Sequence, residues 1–188
     1  MTSVKAAIEA WEAKTGQVAA EATKVELYCQ IPLIKKLDPA AFGVLANCEH
    51  LALSTNNIDK LVSFGEMPKL RILSVGRNLL KKLEKLEDVS GTLEELWISY
   101  NALKTMDEIN VLENLQVLYI SNNLIADFGE LDKLAGLAKF REILLVGNPC
   151  YEGLDEHARR VEVLRHLPNL GKIDGLMVTN AERSEASG

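Results

Sequence analysis

Nine residues, Leu93-Glu94-Glu95-Leu96-Trp97-Ile98-Ser99-Tyr100-Asn101, set the pattern LxxLxLxxN, and that pattern recurs along most of the chain. The template falls again on Cys48, Leu51, Leu53 and Asn56; on Leu70, Leu73, Val75 and Asn78; on Leu115, Leu118, Ile120 and Asn123; and on Phe140, Ile143, Leu145 and Asn148. Successive asparagines are 22, 23, 22 and 25 residues apart. After four of them a second apolar beat follows at fixed offsets, as Ile58/Leu61, Leu80/Leu83, Leu103/Met106 and Ile125/Phe128. A unit this short cannot bury its own apolar face, so the units must stack and share one core.

This period defines a leucine-rich repeat. The expected fold class is α/β: a solenoid of 22-residue repeats with a parallel β-sheet on one face, short helices on the other and helical caps at both ends. Within each strand the side chains alternate. Leu96 and Ile98 are therefore expected inside, with Glu95, Trp97 and Ser99 on the outer sheet face. Each template asparagine falls where the chain leaves the strand. Its amide carries two donors and an acceptor, enough to satisfy backbone groups that no strand neighbour reaches.

Three segments divide the chain. Residues 1–21 are expected to hold an N-terminal capping helix, with Ser3 as N-cap, Val4, Ala7, Ile8 and Trp11 on one stripe, and Gly16 as the stop. Residues 22–150 carry about six repeats. The first is degenerate, running Ala22, Val25, Leu27 with Gln30 in the asparagine place. Asp38-Pro39 opens a short helix on the convex side, and the segments 86–89, 109–112 and 131–134 should be single turns. Residues 151–188 form a C-terminal cap and short tail. There 154–166 read as a helix with Ala158, Val161 and Leu164 inward, Leu167–Gly175 as a truncated repeat, and 180–188 as a polar segment expected to fray.

Composition narrows the function. A net charge of -6 and a pI near 5.2 argue against nonspecific binding to a phosphate backbone, so nucleic acid is not an expected partner. No run of about 18 apolar residues occurs and the first residues carry charges, so neither a membrane span nor a signal peptide is expected, and the protein should be intracellular. Cys48 and Cys150 take core positions as reduced thiols, leaving Cys29 the least constrained. No phosphate loop, dinucleotide fingerprint, CxxC pair or HExxH occurs, and His50, His157 and His166 are scattered. No cofactor, metal or catalytic residue is expected, and the chain reads as a non-enzyme.

The outer face of the sheet is more informative. Aligned repeats put Ala52, Ser74, Trp97, Tyr119 and Leu144 in one row, His50, Ile72, Glu95, Val117 and Glu142 in the next, and Ser54, Gly76, Ser99, Ser121 and Val146 in a third. Trp97, Tyr119, Leu144 and Val117 converge on the later repeats, an apolar patch where a solvated sheet would be polar. Charges such as Arg71, Arg77, Glu94, Glu95 and Arg141 surround it. Large aromatics in such a setting anchor protein partners. Ile72, Arg77, Tyr100 and Val146 extend the candidate partner-binding set, and Met177 and Arg183 add a second stretch beyond the last repeat.

The strings LALSTNNIDKL, LRILSVGRNLLKKL, GTLEELWISYNAL, LQVLYISNNLIADF and VGNP, with IEAWEAKTGQ before them and LPNLGKIDG after, closely resemble the leucine-rich-repeat light chains of axonemal outer-arm dynein. The resemblance covers nearly the whole chain, and TLEELWISYN is not forced by repeat geometry. It implies a non-catalytic subunit of a ciliary or flagellar motor, in the cytoplasm and cytoskeleton of the axoneme. Its implied partner is a dynein heavy chain, at the microtubule-binding stalk tip or on the ATPase ring, with a contact to tubulin in reach. Cys150 departs from the aliphatic residue usual after GNP, and the tail after Gly175 is short. Two other readings stay open: a leucine-rich-repeat adaptor of a protein phosphatase, against which the small number of repeats counts, and one of a spliceosomal particle.

Overall fold

Each template segment forms a strand of two or three residues, and the strands stack in sequence order. The computed structural model describes residues 2–188. Its sheet runs β1 (Lys24–Glu26), β2 (His50–Ala52), β3 (Ile72–Ser74), β4 (Glu95–Trp97), β5 (Val117–Tyr119), β6 (Glu142–Leu144), β7 (Lys172–Ile173) and β8 (Leu176–Met177). All pairs are parallel except β7–β8, where the chain doubles back. The register is the aligned one: Leu51, Leu73, Leu96, Leu118 and Ile143 pair in one row and are all 0% exposed. Leu53, Val75, Ile98, Ile120 and Leu145 form the next core row inward. Parallel strands this short need crossovers, and the return segments supply them on the convex side.

The asparagines hold the turns. Asn78 Oδ1 accepts from Ile58 N at 3.0 Å, while Nδ2 donates to Leu53 O at 3.1 Å and Val75 O at 3.0 Å. Asn56, Asn101, Asn123 and Asn148 repeat that arrangement. The residue before each asparagine has positive φ: Thr55, Arg77, Tyr100, Asn122 and Gly147. Glycine is required at the last of these, because a Cβ on Gly147 would lie 2.5 Å from Asn122 Oδ1. Among the described residues the side chain of Gln30, in the degenerate first repeat, bonds only its own turn through Tyr28 O.

The convex returns are 3-10 turns, at Pro39–Leu45, Glu87–Val89, Ile109–Val111 and Phe128–Leu134. The last is seven residues rather than the single turn expected, started by Asp127, whose side chain accepts from Gly129 N. At the N-terminus α1 (Val4–Thr15) has Ser3 as N-cap and Gly16 as a left-handed C-cap, and it buries Val4, Ala7, Ile8 and Trp11 against the first turn of the solenoid.

The C-terminal cap departs most from expectation. Helix α2 (Glu156–His166) buries Val161 and Leu164, but Ala158 is only half-buried and Arg160 takes the inward place. The tail does not fray. Asn180–Ala186 form α3, opened by a reciprocal capping box between Thr179 and Glu182. Arg160 explains the helix: it donates to Glu182 through Nε at 2.5 Å and a second nitrogen at 3.2 Å, and to Ile173 O and Met177 O at 2.7 and 3.0 Å. Both side chains are more than nine-tenths buried. Among the described residues no helix is long and apolar enough to cross a membrane.

Candidate protein-docking face

Strand parity carries the outward rows onto one surface. Trp97 on β4 and Tyr119 on β5 are register partners, and their rings stack with centroids 5.8 Å apart at 21°. Each polar head is already tied down. Trp97 Nε1 donates to Glu95 Oε2 at 3.0 Å, and Tyr119 OH donates to Glu142 Oε1 at 2.9 Å, where Lys172 Nζ joins at 3.0 Å. On the other side of the indole, His50 meets Trp97 edge to face at 5.4 Å. The pair is therefore half-buried and held in a fixed orientation before any partner arrives.

Electrostatics reinforce that order. Burial, and then the hydrogen bond to the Glu142 carboxylate, push the Tyr119 phenol up to about 12, so it stays a neutral donor. Burial, aided by nearby Lys24, lowers His50 below its ordinary value. Its Nε2 is the one buried side-chain polar atom without a partner among the described residues. Burial likewise raises Cys48 and Cys150 to about 11, which suits inert core thiols, while Cys29 is exposed.

The remaining candidates separate by position. Leu144 lies beside Tyr119 in register and Ile72 beside Glu95, both half-buried, and Val146 is 40% exposed at the later end of the face. Val117 is only 3% exposed, flanked by Glu95 and Glu142, so it packs beneath the patch and offers a partner little surface. Arg77 and Tyr100 sit on the rim where the strands end, the guanidinium 4.1 Å above the phenol ring. Met177 is 71% exposed on β8, away from the aromatic pair in sheet order. Arg183 is committed to the fold: it donates to the carbonyls of Pro168 and Leu170, latching α3 to the cap.

Sequence reasoning put His50 on this face without giving it a part in the site, and it missed Lys172 and Asp174. His50 and Lys172 belong to the same row as Glu95 and Glu142, so strand alternation places them on this face. Asp174, in the turn between β7 and β8, accepts from Leu145 N at 2.7 Å, Val146 N at 3.0 Å and the Tyr151 hydroxyl at 2.8 Å. Only the Asp-Gly closing the truncated repeat hints at that role.

Comparison with known proteins gives a consistent result. The family model described as Leucine Rich repeats (2 copies) matches residues 92–133. Over 99% of its length the chain is 51% identical to Dynein axonemal light chain 1 of Chlamydomonas reinhardtii, covering 96% of that protein. The human protein of the same name is 44% identical over 98% of the chain and 97% of its own length. Among solved structures, a leucine-rich-repeat protein of Leptospira interrogans matches with a TM-score of 0.63 at 22% identity, covering 81% of this chain and 37% of that one. A structure of the Drosophila melanogaster SNF/U2A' complex matches with a TM-score of 0.58 at 20% identity, covering 70% of this chain and 75% of that one. These two likenesses concern the fold alone.

Proposed function

The chain belongs to the dynein axonemal light chain 1 family, and from that premise we propose that it is a non-catalytic light chain of an axonemal dynein. In this reading it works in the cilium or flagellum and docks a dynein heavy chain on its sheet face. The docking point on the heavy chain is the microtubule-binding tip of the stalk, and the light chain there modulates motility, with tubulin within reach. The observation that supports the sheet face is the Trp97–Tyr119 stack: two large half-buried rings on the outer face of the sheet, each pre-oriented by a carboxylate. Such rings lose little freedom on binding and so make strong anchors. The likeness to the SNF/U2A' structure rests on fold alone and favours no spliceosomal partner, and nothing on the sheet face favours a phosphatase.

A photo-crosslinking amino acid in place of Leu144, half-buried beside Tyr119, tests this reading in extracts of ciliated cells. The expected product joins the light chain to a heavy-chain peptide from the stalk tip. A peptide from the ATPase ring would move the docking point, and a phosphatase or ribonucleoprotein product would overturn the reading.

A further inference from the structure

Glu95 is set apart from the other charged groups around the docking face. It lies half-buried on β4 between Ile72 and Val117, and its Oε2 accepts from the Trp97 indole. Its Oε1 has no donor among the described residues, and since only His50 Nε2 is both buried and unpartnered, that oxygen reaches solvent. The neighbouring cations are engaged elsewhere. Lys24 pairs with Glu26 at 2.7 Å, Lys172 with Glu142 at 3.0 Å, and Arg71 with Glu94 and Glu49 at 2.9 and 3.4 Å, while Arg141 donates to the Gln116 side-chain carbonyl at 3.2 Å. His50, two strands from it in the row, is disfavoured as a cation by its burial. Among the described residues Glu95 thus has no cation of its own, beside the two anchoring rings.

Covering this face would strip water from that carboxylate, and a desolvated charge is tolerated only when it is paired. We propose that Glu95 selects the partner by pairing with a basic side chain, an arginine, whose apolar stem lies along Trp97 and Ile72 while its guanidinium meets Oε1. The stem and head of arginine suit a site that is apolar on its walls and anionic at one point. Its planar fork also gives two directed donors to a carboxylate, where a lysine offers a point charge. The proposal rests on the reading that the sheet face is the docking surface, and it adds the chemistry that the partner must bring there.

Glu95→Gln is the test, because the amide oxygen still accepts from the indole while the charge is gone. Against a stalk-tip fragment of an outer-arm heavy chain, calorimetry should show the variant binding roughly tenfold more weakly or worse. Its affinity should also fall less steeply with salt than that of the wild type. Trp97→Ala, measured in parallel, reports on the face itself. Loss with Trp97→Ala but none with Glu95→Gln would overturn the role of Glu95 and leave the docking face standing, and no loss with either would overturn both. Should the fragment not bind, N-acetylarginine amide against its citrulline counterpart decides: the Trp97 indole N–H resonance should shift with the first only, and equal responses would sink the proposal.

Discussion

Asn78 uses every hydrogen-bonding group of its amide on the backbone of two adjacent turns, and the same holds at four other asparagines. Asn78→Ala should leave buried carbonyls and an amide N–H unpaired at a cost of roughly 1–3 kcal/mol, read by urea unfolding. Leu96, 0% exposed between Leu73 and Leu118, should cost roughly 2–5 kcal/mol as alanine, through lost burial and a cavity. A loss below about 1 kcal/mol in that experiment would contradict the register. Both roles were legible in the sequence, because the template repeats often enough to fix strand parity and every asparagine. The left-handed backbone before each asparagine was not: Thr55, Arg77 and Tyr100 are residues that propensity does not place there, and only Asn122 and Gly147 carry the signal. Packing between turns overrides local preference at those positions.

Among the elements, the two caps differ in kind. Helix α1 closes the solenoid with an apolar stripe that periodicity reveals directly, and deleting residues 2–15 should expose the first turn and cause unfolding or aggregation, monitored by light scattering and circular dichroism. A truncated chain that stayed monomeric and equally stable would assign α1 to a partner instead. Helix α3 is too short to persist alone and is held by Arg160 and Glu182. Removing the carboxylate with Glu182→Ala leaves a buried guanidinium unpaired and should cost about 3–5 kcal/mol in the cap. The hydrogen bond from Arg160 holds the Glu182 carboxyl down at about 2, against an ordinary value near 4.5. Its contribution is therefore complete above the ordinary value and lost as pH falls through about 2. Cap resonances followed by NMR between pH 5 and 2 should show α3 releasing in the wild type, with that step absent in the alanine variant. The Thr179-x-x-Glu182 capping box was a legible helix start, but the buried pair was not, since an arginine on an amphipathic helix reads as solvated and a small polar tail reads as loose. Pairing across 22 residues leaves no local trace.

For the whole molecule, the repeats act as a frame that brings residues far apart in sequence into one surface. Alignment of the repeats was enough to place Trp97, Tyr119 and Leu144 side by side. It could not show that Val117 is covered or that Arg183 is tied to the cap, because those facts depend on packing around them. On the function proposed above, this surface docks the motor heavy chain through the stacked aromatic pair. Trp97→Ala and Tyr119→Ala should fold nearly as the wild type does, since both rings stand on the sheet rather than in the core. The deciding measurement is calorimetric titration of both variants with the stalk-tip fragment, alongside an ATPase-ring fragment. A loss of about 2 kcal/mol or more, at least roughly tenfold in Kd, is expected for the stalk tip. Unchanged stalk-tip affinity in both folded variants would contradict it.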